Sequence, residues 1–408
     1  NKGLYLQSLK MLERLKETAK AHQQLTFLQQ ALFFEKKIES LYITRSIQNK
    51  ADLLTTESDT VTNQILLVNQ LSNLSLQLYS WYIKNGHARN NKDIAELKNF
   101  FEKNLSVHAT KATGFYEKLY LYQSYVWYAF IRQDFLQYYR YSQKWVDAFT
   151  TYPELLKTET ASYIKGVHNL MTAQFSLLSQ DKLAKSIKQF ESFTKQKFLQ
   201  DNENNRILAY QYLYTARINL YFLQGNFTKG LRLVPFLEEM LKEYSLYLDT
   251  HRVLVFYYKI ACLYFGSGNN EKAIDYLNRI INQKGDLRTD LQCYSRLLHL
   301  IAHYELGNFD LLEYLIKSVY RYMAKMENLS KVEEEMFAFL RRSFHVGAKA
   351  LKPEFEKLLA KLKKYEGNAL ESRAFVYLDV ISWLKSKING VDVQDVIKEK
   401  YSEGKKRK

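Results

Sequence analysis

A short turn that recurs three times in the second half of the chain constrains the fold more than any other sequence feature. Each turn begins with a glycine and an asparagine, and the three read Gly225-Asn226-Phe227, Gly268-Asn269-Asn270 and Gly307-Asn308-Phe309. An apolar run with helical spacing lies on either side of each turn. Because self-similarity at a period of about forty residues marks a repeat architecture, the sequence predicts stacked pairs of antiparallel helices.

Composition agrees with long helices joined by short turns. The chain has only 3 Pro and 14 Gly in 408 residues, too few for a many-turned β protein. Hydrophobic residues make up 47% of it, which disfavours disorder. In a repeat architecture each unit packs on its neighbours, so a chain of this length can form one continuous array.

We expect five segments along the chain. Residues 1–59 are expected to form an N-terminal helical pair and residues 60–200 a stretch of degenerate hairpins. Clearer hairpins are expected over 201–330 and C-terminal capping helices over 331–402. Residues 403–408 are expected to be a frayed basic tail.

Three further local features are predicted. The polar, capping-rich run Thr55–Asp59 predicts a turn, followed by a helix over 61–84. Pro353 is expected in the first turn of a helix over 353–365, where proline is tolerated. Another helix is expected over 369–388.

The segment Tyr257–Ile281 carries the clearest repeat pattern, with bulky, small and aromatic residues in order on its first helix and a small residue early in its second. These positions hold Tyr257, Ile260, Ala261, Tyr264 and Ala273. A small residue lets two helices approach while large neighbours interlock beside it. Here the chain resembles the tetratricopeptide repeat (TPR) superfamily, most strongly over residues 206–325, and its richness in Asn, Lys, Ile and Tyr resembles a bacterial member. The resemblance implies an all-α, right-handed α–α superhelix (a solenoid) of antiparallel hairpins.

Proteins of this superfamily usually bind a peptide or a helix in a concave groove lined by the first helix of each hairpin. The resemblance therefore implies a non-enzymatic scaffold that binds a protein or peptide segment. In the family register the candidate groove residues are Tyr212, Thr215, Asn219, Tyr258, Cys262, Tyr294 and Leu297. One subset of the family holds a C-terminal carboxylate with Lys and Asn at fixed positions. Only Asn219 and Lys259 match those positions, so we do not expect that mode.

Two other functions stay open as alternatives. The net charge of +16 suits a nucleic-acid-binding helical-repeat protein, but the charge is spread along the chain and only Lys405–Lys408 forms a dense run. Aromatic and basic residues also alternate on the two helices around Phe115–Tyr152, where rings could stack with bases, although hairpin core explains them better. The second alternative is a ligand- or peptide-sensing regulator whose N-terminal output domain is missing, because the chain begins with Asn1 and not with Met.

No complete catalytic, metal or cofactor motif is visible. His299 and His303 share one helix face at i, i+4, but Leu300 stands where a zinc-protease motif has its glutamate. Gly266-Ser267-Gly268 lacks the third glycine of a dinucleotide loop, since Glu271 stands there. We therefore expect neither catalysis nor a bound cofactor or metal.

Cysteine use and hydropathy bear on the compartment. Cys262 and Cys293 fall within helices and are expected to be buried reduced thiols, which favours a reducing compartment such as the cytoplasm. No secretory signal is visible. The uncharged stretch Thr60–Ile83 contains six amide side chains, which disfavours a membrane span. We therefore expect no membrane partner.

Overall fold

The computed structural model describes residues 4–42, 49–283, 289–326, 329–343, 346, 348–366 and 379–406, and all regular structure within these ranges is helical. This confirms the predicted all-α class. Most helices pack against neighbours along the chain, and several consecutive pairs form hairpins through short turns.

The helices of the first half extend to the middle of the chain. They are α1 (Tyr5–Ala21), α2 (Leu25–Tyr42), α3 (Lys50–Asn85), α4 (Asn91–Asn104), α5 (Phe115–Ile131), α6 (Phe135–Thr151), α7 (Leu155–Thr158), α8 (Thr160–Ser176), α9 (Gln180–Thr194), α10 (Lys197–Gln200) and α11 (Glu203–Gln224). Hairpins among them include α1 with α2 and α5 with α6.

The helices of the second half are α12 (Phe227–Gly230), α13 (Val234–Glu243), α14 (Thr250–Gly266), α15 (Asn270–Ile281), α16 (Thr289–Glu305), α17 (Phe309–Lys325), α18 (Lys331–Ser343), α19 (Ala348–Lys363), α20 (Val380–Asn389) and α21 (Val393–Lys406). The first predicted glycine turn joins α11 to α12, and the other two lie between helices of the second half.

One turn geometry joins most of the hairpins. The first helix ends at a residue with positive φ, and the next residue donates its N–H to the carbonyl five positions earlier, as in a Schellman motif. The residues with positive φ in these turns are Gln23, Gln133, Leu178, Gly225, Gly268, Gly307 and Gly390. The predicted Gly-Asn turn is therefore one sequence version of a turn that the chain also builds without glycine.

The predicted turn at Thr55–Asp59 is wrong, because α3 runs without interruption from Lys50 to Asn85. The hydroxyl of Thr55 donates to the carbonyl of Ala51 within the helix. Other polar groups of this run contact side chains of α1 and α2. For example, Glu57 ion-pairs with Lys20 on α1. The predicted segment boundary between residues 59 and 60 lies inside this helix.

Two predictions near the C-terminus also differ from the structure. Pro353 lies inside α19, well past its first turn, because the helix begins at Ala348. The tail expected to fray from residue 403 is helical as far as Lys406. A helix is expected over 369–388, but residues 369–378 lie outside the described residues. In the rest of that range, α20 begins at Val380.

The hydrophobic core follows the chain as a series of clusters between adjacent hairpins, with the largest in the second half. Small residues set the helix spacing within it. A Cβ atom added to Gly230 would lie 2.5 Å from the Leu263 side chain, and Ala273, the predicted small residue of α15, is fully buried. Ala273 thus packs as predicted, and Gly230 has the same role in the preceding hairpin.

Contacts between distant parts of the chain add to this sequential packing. A Cβ atom added to Gly86, at the end of α3, would lie 3.1 Å from Cγ of Asp290 in the first turn of α16. The C-terminal helix α21 lies against the turn at Gly225, and its Gln394 side chain accepts a hydrogen bond from Thr228 at 3.0 Å. The end of α3 and the C-terminal helix α21 therefore both pack on parts of the chain that are distant in sequence.

Candidate functional site

The seven predicted groove residues lie on three first helices of successive hairpins, namely α11, α14 and α16. Tyr212 and Thr215 are half-buried. Asn219, Tyr258 and Cys262 are buried, although Cys262 retains 9% exposure. Tyr294 and Leu297 are each only 1% exposed within the main core cluster, so they offer little surface to a partner.

An aromatic stack links α8 to α11 beside these residues. The imidazole of His168 lies parallel to the Tyr212 ring, with 3.8 Å between ring centroids. From α14, the Arg252 guanidinium lies 5.5 Å from the Tyr212 ring centroid and donates to Oε1 of Gln211 at 2.8 Å. Three consecutive first helices therefore meet at Tyr212.

Lys259 on α14 is held by one amide and two aromatic rings. Its Nζ donates to Oδ1 of Asn219 at 2.5 Å and lies within 6 Å of the Phe175 and Phe222 ring centroids. Burial lowers the pKa of Lys259 to about 8, although the Cys262 thiol acts in the opposite direction. Its ammonium thus sits in a poorly solvated place.

Two more basic side chains lie close by. Burial lowers the pKa of Lys165 on α8, and the charge of Arg252 lowers it further. Lys165 nevertheless exposes much of its surface. Burial, Arg252 and Lys259 together lower the pKa of His168 to about 3, so this imidazole is neutral at physiological pH.

We call these side chains the basic cluster, and define it by its basic side chains, the aromatic stack and the amide. These are Lys165, His168, Tyr212, Asn219, Arg252 and Lys259. The acidic group in contact with it is Asp249, whose carboxylate lies 3.0 Å from Nε of Arg252. Neither Lys165 nor Lys259 forms an ion pair with a carboxylate within the described ranges. The basic cluster therefore carries excess positive charge.

A tyrosine of α3 lies near enough to the start of α14 to sense its charges. Burial raises the pKa of Tyr79, the charge of Arg252 lowers it and that of Asp249 raises it again, so this phenol lies close to the start of α14. Tyr79 also influences the pKa of Tyr212. With the contact between Gly86 and Asp290, the end of α3 faces helices more than 160 residues later in the chain.

Sequence reasoning missed part of this site. Tyr212 and Asn219 are among the predicted groove residues, but Lys259 is only a match to the carboxylate-binding subset, and Lys165, His168 and Arg252 carry no motif. The one available signal was their position on predicted first helices. The contribution of Tyr79 had no signal at all, since only the packing of α3 brings it near α14.

The two histidines of α16 contact each other, as their i, i+4 spacing predicts. Their Nε2 atoms are 3.3 Å apart, and Nδ2 of Asn308 lies 3.0 Å from Nδ1 of His303. The simplest proton assignment from this network has Asn308 donating to His303 and His303 donating to His299. In the described part of the chain, no group of three or more His, Cys, Asp or Glu side chains could hold a metal.

The aromatic residues of α5 and α6 mostly contact one another. Tyr125 and Tyr141 stack with 4.2 Å between centroids, and Phe101 stacks on Tyr128 at 4.1 Å. The Lys144 ammonium lies 5.1 Å from the Tyr141 ring centroid. These rings therefore stabilise the hairpins, as the core interpretation predicts.

The remaining chemical candidates are two thiols. Cys262 and Cys293 are free and buried, as predicted. Burial raises the pKa of Cys262 to about 12, so its thiol stays protonated and is a poor nucleophile.

Among the described residues, we find no helix with the combined length and apolarity needed to cross a membrane. The chain matches no protein-family model, and no curated protein is similar enough to count as a match.

Proposed function

We propose that this chain is a non-enzymatic binding scaffold built as a TPR-like, right-handed solenoid. In this proposal a protein or peptide segment binds along the surface that the first helices of successive hairpins share. The observation that carries it is the convergence of α8, α11 and α14 at Tyr212, where aromatic and hydrogen-bonding side chains from three first helices meet. Such side chains suit recognition of an extended segment.

Other features support this proposal over catalysis. The histidines of α16 are engaged with each other, and the Cys262 thiol has a raised pKa. Both cysteines are free thiols, which supports a reducing compartment such as the cytoplasm.

A pair of matched substitutions tests the binding surface. Thr215→Arg adds a long cation at the centre of the shared surface on α11, whereas Ser192→Arg adds the same side chain at an exposed position of the second helix α9. Circular dichroism and a melting curve establish that both variants fold. A partner captured by the wild type is then purified, and its dissociation constant is measured with all three proteins.

We expect Thr215→Arg to weaken binding at least about tenfold, a loss of about 1.4 kcal/mol, and Ser192→Arg to bind as the wild type does. Equal binding by the wild type and both variants would place the partner elsewhere and refute the groove. If the captured partner is a nucleic acid, affinity should fall steeply with salt, and the nucleic-acid alternative would replace this proposal.

A further inference from the structure

An open cleft of about 310 Å³ is formed by side chains of α17 and α18. The residues that line it are Ile316, Lys317, Tyr320, Arg321 and Arg341. Three of the five are cations, and all three are exposed to solvent. Pockets for small molecules have volumes of about 300–1,000 Å³, so this cleft suits a compact ligand.

Both arginines of the cleft are held in position through one nitrogen each. Nε of Arg321 donates to the Lys317 carbonyl at 3.2 Å, and Nε of Arg341 donates to the Phe337 carbonyl at 3.4 Å. Within the described part of the chain, the terminal nitrogens of these two side chains have no acceptor and neither side chain forms an ion pair. Each guanidinium group can therefore offer its terminal N–H groups to a ligand, in the planar fork that binds phosphate.

The charges in the cleft indicate a ligand with two negative charges. Lys317 ion-pairs with Glu313 at 3.2 Å within α17, which leaves Arg321 and Arg341 without a countercharge among the described residues. Lys317 and Arg321 also stand at i, i+4 on one helix, where like charges are destabilising. A phosphate monoester carries a charge of about −1.5 to −2 at pH 7 and would offset both arginines.

The other two lining residues offer an apolar contact beside these cations. Ile316 is 1% exposed, whereas Tyr320 is 36% exposed. The Tyr320 ring packs edge-on against Phe337, with 5.6 Å between ring centroids, and the Arg341 guanidinium lies 5.8 Å from the Tyr320 ring centroid. The phenol ring is thus fixed next to an arginine and still has surface for an apolar group of a ligand.

We propose that this cleft binds a small solute in which a phosphate monoester is attached to an apolar group. Arg321 and Arg341 bind the phosphate, Lys317 adds positive charge and Tyr320 contacts the apolar group. The cleft lies on α17 and α18 and uses no residue of α8, α11 or α14. It therefore does not depend on the binding of a protein segment proposed above.

Calorimetric titration of the full chain tests the ligand chemistry with three probes at equal ionic strength. Phenyl phosphate has both parts of the proposed ligand, phenyl sulfate has a similar shape with a single negative charge, and inorganic phosphate lacks the ring. We expect saturable binding of phenyl phosphate, about tenfold tighter than that of phenyl sulfate and several-fold tighter than that of inorganic phosphate. Equal affinity for phenyl phosphate and phenyl sulfate would overturn the assignment of a dianion.

Substitutions locate the bound probe. Arg321→Gln and Arg341→Gln should each weaken binding of phenyl phosphate about tenfold or more. Both arginines are exposed, so the variants should fold as the wild type does, which circular dichroism and a melting curve check. Arg140→Gln is the matched control, since Arg140 is an exposed arginine of α6, and it should bind like the wild type.

Three results would overturn the proposal. One is equal affinity of the wild type and the two cleft variants for phenyl phosphate. Another is a wild type that binds none of the probes, which would leave the function proposed above intact. The third is a single-stranded oligonucleotide that binds more tightly than phenyl phosphate and is weakened by the same substitutions, because the cleft would then contact nucleic acid.

A second measurement needs no substitution. Arginines of the wild type are modified with limiting phenylglyoxal, with and without phenyl phosphate, and each modified site is quantified by mass spectrometry. Bound phenyl phosphate should slow the modification of Arg321 and Arg341 several-fold, while Arg140 reacts unchanged. Equal rates with and without the probe at all three arginines would contradict the assignment even if phenyl phosphate binds elsewhere.

Discussion

Single residues decide how the hairpin turns are built, and their side chains differ in how well they suit the backbone. Gly225, Gly268 and Gly307 take positive φ without a steric penalty. Gln133 and Leu178 adopt φ values of 59° and 53° although each carries a Cβ atom. These two turns therefore hold strain that the glycine turns avoid.

Replacing Leu178 with glycine should stabilise the protein. The left-handed conformation costs a leucine about 1–2 kcal/mol, and Leu178 is 64% exposed, so little packing is lost. After the entropy cost of glycine, we expect Leu178→Gly to raise the free energy of unfolding by about 0.5–1 kcal/mol. Urea denaturation measures it.

Leu136→Gly is the matched control, because Leu136 is 61% exposed but lies in the first turn of α6. Glycine there should lower the free energy of unfolding by up to about 1 kcal/mol. If both substitutions destabilise the protein alike, the positive φ of Leu178 stores no strain.

The buried histidines should make the fold sensitive to acid. Burial, then His303 and Arg296, lower the pKa of His299 to about 4, whereas an unfolded imidazole titrates near 6.5. Between these values the unfolded chain binds more protons, so the free energy of unfolding falls as pH drops from about 6.5 to 4, by up to about 1.4 kcal/mol per pH unit for one histidine. Above that window the stability is fully present.

Urea titrations at several pH values check this, with His299→Gln compared with His108→Gln at an exposed position. The first variant should flatten the dependence on pH and the second should leave it unchanged. Identical slopes in all three proteins would show that His299 does not control it. His168, whose pKa is also lowered, should contribute part of the remaining slope.

At this scale, the sequence is informative wherever a residue type has one strong preference. The glycines marked three turns, and the i, i+4 spacing placed both histidines on one face. Gln133 and Leu178 gave no comparable sign, because their conformation is imposed by the two helices they join. For the same reason the Lys259–Asn219 contact, which joins two hairpins, could not be derived from either residue.

Among the elements, α3 shows why a polar run is not always a turn. Lys36 on α2 donates to the hydroxyl of Ser58, and Lys16 on α1 lies 3.5 Å from a carboxylate oxygen of Glu57. These charged partners come from two other helices. The local sequence therefore predicts a turn, because it does not contain the contacts with α1 and α2 that accompany the helix.

The ion pairs between these helices give a test of how α1 and α2 are held. Glu35 on α2 is buried, with its two oxygens 2.5 Å from Lys16 and 2.7 Å from Lys50. Glu35→Gln leaves the buried Lys16 without its closest countercharge, so the free energy of unfolding should fall by about 3 kcal/mol. Hydrogen exchange of α1 and α2, together with urea denaturation, would measure it.

Glu13→Gln, at an exposed position of α1, is the control and should have little effect. The double variant Lys16→Met with Glu35→Leu should recover most of the loss, because apolar side chains can replace a buried ion pair. If Glu35→Gln is as stable as Glu13→Gln, this network does not hold the N-terminal helices.

The arrangement of the whole molecule depends on contacts between residues far apart in sequence. Trp383 and Lys387 on α20 both donate to the carboxylate of Glu305 on α16, at 2.6 and 2.7 Å. The all-α class and many helix limits were readable from periodicity, as with α5. The positions of α20, α21 and the end of α3 could not be predicted, because a local stretch of sequence does not indicate which distant turn a helix packs against.

The turn at Gly225 makes the position of the C-terminal helix testable. Gly225 and Gly268 have the same turn geometry, with φ of 64° and 86°. A Cβ atom at Gly268 would meet no atom within 4 Å, whereas one at Gly225 would lie 2.5 Å from the Gln394 carbonyl oxygen of α21. Gly268→Ala therefore adds only backbone strain of about 1 kcal/mol, and Gly225→Ala should add the same strain and also displace α21.

Hydrogen exchange of residues 393–406 distinguishes the two effects. In Gly225→Ala the amides of α21 should exchange several-fold faster than in the wild type, and trypsin should cut this lysine-rich helix sooner. In Gly268→Ala both rates should match the wild type despite a similar local strain. Equal protection of α21 in the two variants would mean that this helix does not rest on the α11–α12 turn.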